Sequence, residues 1–420
     1  MGNFILALVR FMIYHCAEPI RPTHGSFACG FPNPVEPEQT MSITETAVDA
    51  SKRGAGKALL TNMILGLLSV LLVVVLLEMI ASHIFDVTDK VVYEHLPSVG
   101  LRLQPNQEGW YIRDAVGGGE GIRAPFSVNG QGFNNPRDYS IGKSNSYRIA
   151  VVGDSFVEAF QVPFEESFFK VLEENLIDHG TDTEVLSFGI SGYGTSQIYH
   201  LIQQYVLAYE PDFLIYLFIP NDVSDSAVCK RKKQWTQQYS GQGQGQPAPV
   251  PFQVYRQKWR NSALKNSALV RYLLYQRRLK ERLIVWQKRR RDQPQRVASG
   301  PEPCDEEAWR IVDFLLGRMD ALLRERGVPW LIAWQGDVKP SFNEATRTRL
   351  EQIVDARGLP YMDLTHAFAE DFEERGQPVR IEGDGHWNAV GHEVAGLALA
   401  EELLRRRDLS KADKFGDRHR

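Results

Sequence analysis

The chain has 420 residues, 43% of them hydrophobic and 24% charged, with a formal net charge of -4. These proportions are ordinary for a globular protein, and the length suits one α/β domain with additions. The overall charge singles out no partner and no nucleic acid is expected, but it hides an uneven distribution: residues 229–300 hold 18 Lys and Arg against two acidic residues.

Residues 1–40 differ in character from the rest. From Met41 the pattern reads as a short polar lead, a basic cluster and an apolar run, so Met41 reads as an alternative start; the other reading is an amphipathic or disordered cytoplasmic arm. Residues 58–77, ALLTNMILGLLSVLLVVVLL, are 20 residues without a charge. As a helix they span about 30 Å, the thickness of a bilayer core. They are too long for a signal-peptide core, and no A-x-A-like cleavage site follows closely. Lys52, Arg53 and Lys57 precede the run and Asp86 and Asp89 follow it. The positive-inside rule then places the N-terminus in the cytoplasm and everything after about residue 85 outside, periplasmic or extracellular.

Residues 86–145 are rich in Gly, Pro and Asn, with short apolar runs at 109–112 and 125–128, and read as an irregular or β-containing extension. From 147 on, strands alternate with helices. Strands are predicted over 147–152, 183–188, 213–218, 329–334 and 360–363, and helices over 165–177, 195–208, 306–326, 345–357 and 390–405. This alternation predicts a parallel sheet covered on both faces, with polar sites at the C-terminal strand ends. Residues 229–304 interrupt it as a basic insertion, with a polar tract at 241–249 expected to be flexible and a basic amphipathic stretch over about 255–291 carrying Trp259, Leu269, Leu273, Leu279, Leu283 and Trp286. It reads either as a lid with a solvated basic face or as a surface for anionic lipid headgroups or an acidic polymer. The chain thus divides into a cytoplasmic segment (1–57), an anchor (58–85), the extension (86–145), the α/β domain with its insertion (146–408) and a polar tail (409–420).

Polar motifs stand at the expected strand ends. The first strand runs into Gly153-Asp154-Ser155, the second into Gly189-Ile-Ser-Gly192-Tyr-Gly194, the third into Asn221-Asp222. Near the C-terminus lies Asp384-Gly-His386-Trp387-Asn388, followed by Gly391-His392. A serine exposed at a strand-to-helix turn, and a histidine with a nearby carboxylate in a glycine-flanked loop, suit a nucleophile and its oriented base. An amide at a strand end can donate to a developing oxyanion. A second histidine, in Asp363-Leu-Thr-His366, follows the fifth strand directly and reads as a helix start.

Taken together and in order, these blocks resemble the SGNH (GDSL-type) hydrolase superfamily over about residues 147–405. Gly153-Asp154-Ser155 matches its first block, Gly192 its oxyanion glycine, Asn221 its third-block asparagine and His386 its base. The stretch 126–136 and the Asp-Gly-His-Trp-Asn phrase also resemble membrane-linked members associated with surface polysaccharides. The resemblance implies a flavodoxin-like three-layer α/β/α fold, with Ser155 as nucleophile, His386 as base, Asp384 orienting it, and the backbone N–H groups of Ser155 and Gly192 with the Asn221 amide as oxyanion hole. It implies no metal or organic cofactor. Two departures stand out: Ile219 replaces the usual glycine of the third block, with an expected effect on the oxyanion loop or pocket width, and the acid precedes the histidine by two residues instead of three. The latter spacing also occurs in alginate-type O-acetyltransferases of the superfamily.

Three functions fit. The first is an esterase acting outside the membrane on an acylated carbohydrate, cell-surface glycan or lipid; the second an O-acyltransferase modifying a surface polysaccharide, which would draw on a multi-spanning acyl-donor protein; the third a non-catalytic glycan-binding or scaffold protein. Finally, Cys229 and Cys304 bracket the insertion and are the only cysteines beyond the anchor, so in an oxidising compartment they are expected to pair.

Overall fold

The computed structural model describes residues 40–116, 119–142, 145–241, 245–256, 265–290, 303–339 and 343–406. The expectations for residues 1–39, Trp259, Arg291 and the tail 409–420 lie outside them. A long helix, α1 (Thr40–Ile84), contains 28 residues, Lys57–Ile84, apolar enough to cross a membrane, and its apolar window is nowhere buried in the protein. The helix up to Val73 forms a unit by itself; from Val74 on the chain packs as a second unit.

The extension forms two antiparallel pairs, β1 (Tyr93–Leu96) with β2 (Gly100–Leu103) and β3 (Gln107–Arg113) with β4 (Ile122–Val128). On β4, alternation buries Ile122, Ala124, Phe126 and Val128. Phe126 and Tyr111 close on the Phe160 ring at 5.2 and 5.3 Å, which fastens this hairpin beside the site described below.

The α/β body follows as β5 (Tyr147–Gly153), α2 (Ser155–Glu158), α3 (Phe168–Asp178), β6 (Thr183–Gly189), α4 (Thr195–Gln204), β7 (Phe213–Phe218) and α5 (Asn221–Ser226). After the insertion come α7 (Pro303–Glu325), β10 (Trp330–Trp334), α8 (Glu344–Arg357), β11 (Tyr361–Asp363), α9 (Thr365–Arg375) and α10 (Ala389–Arg406); the insertion itself holds the hairpin β8 (Gln238–Ser240) and β9 (Ala248–Val250) and the helix α6 (Leu279–Arg290). The five body strands are all parallel, in the order β6-β5-β7-β10-β11. That is the 2-1-3-4-5 order of flavodoxin-like sheets, whose switch point lies between the first and third strands. Ser155 follows the first of these and Asn221 the third.

Strand periodicity sorts the core into two layers. Ala150, Val152, Phe188, Tyr216 and Phe218 pack with Ile198 and Leu201 of α4 and Ile311 and Leu315 of α7. Ile149, Val151, Ile215 and Leu217 pack with Phe168 and Leu172 of α3, Phe368 of α9 and Leu399 of α10. Because both faces are covered, β5, β7 and β10 are buried at every position, which is why β7 and β10 read as unbroken apolar runs and β5 departs from one only at Arg148, buried and paired with Glu184.

The insertion differs from the single amphipathic stretch expected. Ala268–Val270 passes into a π-helical turn, Arg271–Gln276, and the chain then breaks at Arg278, whose φ of 51° is left-handed, before α6 begins. On α6, residues 283–287 are all exposed, so the helix lays no apolar stripe on the body. The ends of the insertion meet as expected from the cysteines: a disulfide joins Cys229 and Cys304, with their Cα atoms 5.8 Å apart.

Candidate active site

The end of β5 delivers Ser155 through a tight local structure. Asp154 caps α2 by accepting a bond from the Phe156 N–H at 3.1 Å, and Ala159 ends the helix after one turn with φ 51°. The helix lies close against the end of β6: a Cβ on Gly189 would meet the Glu158 backbone nitrogen at 2.1 Å, so only glycine fits there.

On the other side, the loop before α10 carries His386. Its backbone is pinned by the Ile381 N–H to the His386 carbonyl at 2.9 Å, and Gly383 and Gly385 take positive φ on either side of Asp384. Trp387 anchors the loop. It is fully buried, with its ring 5.0 Å from Phe156, 5.8 Å from Phe168 and 5.4 Å from Phe368. Phe156 lies against both Trp387 and His386, at 4.9 Å from the imidazole, and so sets the loop against the serine turn.

The structure brings Ser155, His386 and Asp384 together in a line. His386 Nε2 lies 2.8 Å from Ser155 Oγ, and His386 Nδ1 lies 2.5 Å from Asp384 Oδ1. Burial alone would raise the Asp384 carboxyl, but the bond to His386 and the cations Arg113 and Arg278 outweigh it and hold Asp384 below the usual carboxylate range. Arg113 and Arg278 approach Asp384 Oδ2 at 3.3 and 3.4 Å. Neither arginine is singled out by the sequence, because one lies on β3 of the extension and the other in the insertion, 271 and 106 residues from Asp384.

This is a serine–histidine–aspartate triad. A serine hydroxyl bonded to an imidazole, itself held by a carboxylate, can lose its proton as it attacks a carbonyl. Gly192 closes the turn after β6 with φ 76°, and its carbonyl accepts a bond from Lys233 of the insertion, which also pairs with Asp225 at 3.0 Å. Asn221 comes to the site through Asp154: its Nδ2 donates to Asp154 Oδ2 at 3.1 Å and to Asp225 Oδ2 at 3.3 Å. An oxyanion contact from this amide therefore requires exchange of one of those bonds. Ile219 does not face the pocket; it is buried with Leu217, Leu331 and Leu364 in the core, and its N–H bonds Asp222 at 3.2 Å. His366 is exposed on α9 beside Glu370, far from any such arrangement. His392 is a core residue whose Nδ1 accepts from the Phe168 N–H at 3.2 Å, and burial, with some help from His386, pushes it down to about 3.

No family model matches the chain. An arylesterase of Vibrio mimicus is 30% identical over 83 residues, 20% of this chain, so the chain spans about two fifths (42%) of the length of the curated relative it matches. Among solved structures, the chain is similar to the lipase/acylhydrolase of Enterococcus faecalis (14% identity, 62% of this chain and 96% of that one, TM-score 0.35). It is also similar to a GDSL-like lipase of Bacteroides thetaiotaomicron (9%, 64% and 92%, TM-score 0.33) and to the acetyl xylan esterase AlAXEase (12%, 61% and 99%, TM-score 0.35).

A cavity of about 530 Å³ reaches the site through Arg113, with none of the three triad residues in its lining; Tyr111, Phe160 and Tyr275 line it together with polar groups including Arg113, Arg271 and Glu158. Glu158 is 1% exposed and accepts a bond from Ser191 Oγ; burial pushes its carboxyl up to about 8. Folded protein thus keeps this proton between the unfolded carboxyl range near 4.3 and pH 8, while unfolded chain loses it. The associated stability is full below the unfolded pKa and is lost as pH rises through about 8. Unfolding of wild-type protein followed from pH 4.5 to 8.5 is expected to show this decline, and Glu158→Gln to remove that part of the slope. An identical slope in both would count against the assignment.

Proposed function

We propose that the chain is a serine-dependent acyl-ester hydrolase, held by one membrane span and acting outside the membrane on an acylated carbohydrate of a cell surface. The observation that carries this reading is the Ser155–His386–Asp384 line at the switch point of the sheet, with bonds of 2.8 and 2.5 Å. Ser155 Oγ attacks the acyl carbonyl as its proton passes to His386 Nε2, and Asp384 stabilises the resulting imidazolium. Backbone N–H groups of Ser155 and Gly192, joined by Asn221, receive the oxyanion; one such donor is worth about 3 kcal/mol in the transition state. Collapse expels the alcohol, which takes the proton from His386. Water activated by the same imidazole then releases the acid and restores the serine.

The carbohydrate assignment is supported by the cavity that Arg113 links to Asp384, where Tyr111, Phe160 and Tyr275 stand in the lining among polar groups. Ring faces pack the C–H surface of a sugar while polar side chains bond its hydroxyls. The outward placement of the domain follows from the basic residues before the span. A fluorophosphonate probe is expected to label the folded full-length chain on a single peptide containing Ser155, and Ser155→Ala to stay unlabelled. A folded wild-type chain that takes no label would overturn the reading, leaving a binding protein on the same fold.

A further inference from the structure

Four consecutive large apolar residues on α6, Leu283, Ile284, Val285 and Trp286, are between 36% and 50% exposed. Successive helical residues turn by about 100°, so this turn is apolar all round and no single face of the domain could cover it. Leu273 and Leu274, on the preceding π-helical turn, are also exposed. Cations flank the apolar turn: Arg277, Lys280 and Arg282 come before it, and the sequence continues with Lys288-Arg-Arg-Arg after it. A contiguous apolar surface rimmed by charge marks an interaction site.

What covers it is indicated by where the segment starts. The Glu78 carboxylate, on the apolar helix, accepts bonds from Ser267 Oγ at 2.6 Å and from the backbone N–H groups of Ala268 and Leu269 at 2.6 and 3.1 Å. Phe85, just past that helix, stacks on Tyr272 at 4.9 Å. The segment is therefore tied to the end of the apolar helix, at Glu78, six residues before its last residue, Ile84. A surface that is apolar in the middle and basic at its borders matches a bilayer interface, with hydrocarbon below and lipid phosphates above.

We propose that residues 271–290 form a bilayer-docking element: the turn 283–286 enters the membrane that holds the span, the flanking cations meet lipid phosphates, and the docked segment holds Arg278 on Asp384. This rests on the membrane-anchored reading above. Arg278 sits at the break between the two helical pieces, with its side chain mostly buried and its guanidinium on both Asp384 Oδ2 and the Gly383 carbonyl at 3.4 Å. The same segment that touches lipid therefore also bears on the carboxylate that orients His386.

The test uses the full chain with Cys16 and Cys29 replaced by serine, in nanodiscs of phosphatidylcholine and phosphatidylglycerol. An environment-sensitive dye is attached at Val285→Cys or, in a separate protein, at Leu71→Cys. Lipid nitroxide is expected to remove most of the emission of both dyes, a headgroup-level label for the dye at 285 and a deep-chain label for the dye at 71. Quenching at Leu71 with none at Val285 overturns the docking element and leaves the span intact; quenching at neither overturns the span as well. A Val285 dye indifferent to the nitroxide but shielded by added dextran sulfate assigns the face to an acidic polymer and likewise overturns the proposal. For the coupling, Leu283→Glu/Trp286→Glu in nanodiscs is expected to move the acidic limb of kcat/KM toward higher pH, as Arg278→Ala does, because Asp384 loses a cation that favours its ionised form. An unshifted limb in the double variant, with Arg278→Ala shifted, overturns the coupling.

Discussion

His386→Ala is expected to lower kcat/KM for a chromogenic acyl ester by about 10³ or more at neutral pH, while His366→Ala leaves most of it. The two histidines both follow a carboxylate in the sequence, but their surroundings differ in kind. His386 Nε2 is 2.8 Å from Ser155 Oγ, and the opposite ring nitrogen is held by Asp384. Without the imidazole the serine hydroxyl has no proton acceptor, and residues that act as a unit lose most of their effect when any one is removed. The side chain of His366 is 89% exposed, and its carboxylate neighbour within reach is Glu370 on its own helix at 3.6 Å. Turnover should be measured on the full-length chain, with circular dichroism confirming that each variant is folded. Loss of activity in His366→Ala with retention in His386→Ala would refute the assignment of the base.

Opening the disulfide is expected to have the largest effect on stability. The bond closes a loop of 75 residues, and in the chain-entropy model a loop of that size restricts the unfolded chain by about 4 kcal/mol. The Cys229→Ala/Cys304→Ala variant should therefore unfold at markedly lower denaturant concentration than the oxidised wild type. The bond also lies next to an ion pair between Lys230 and Asp305, which joins the same two ends of the insertion. Between those ends the insertion supplies Lys233 to the Gly192 carbonyl and Arg278 to Asp384, so loosening it should also reduce turnover. Equal denaturation midpoints for the two proteins, or two alkylatable thiols in unreduced, denatured wild type beyond those of Cys16 and Cys29, would refute the expectation.

Much of the fold was legible because strand burial leaves a one-dimensional trace. The runs at 147–152 and 213–218 are apolar at nearly every position and end in glycine or proline, and they form strands buried on both faces. The parallel order follows from the strand–helix alternation, since each crossover helix needs a face to cover. The motifs at Ser155, Gly192 and Asn221 were legible for a related reason: in such a sheet, the residues after the strands converge on one edge however far apart they lie in the chain, and His386 joins them from the loop before α10.

The remainder depended on contacts between segments with no common period. Nothing local in Gln276-Arg-Arg-Leu279 marks a helix break; the left-handed Arg278 is stabilised by Asp384 and Gly383 more than 100 residues away. Arg113 and the buried Glu158 likewise acquire their surroundings only when the extension and insertion fold over the sheet edge. Apolar spacing in residues 269–286 identified an apolar pattern, but not that residues 283–286 stand exposed on α6, because periodicity records a preference and not a partner. The sequence by itself determined the strands, their layering and the segments that meet at the sheet edge. Tertiary structure alone decided the charges around Asp384, the bonds that engage the Asn221 amide and the exposed turn on α6, since each depends on distance and desolvation between groups that local sequence does not relate.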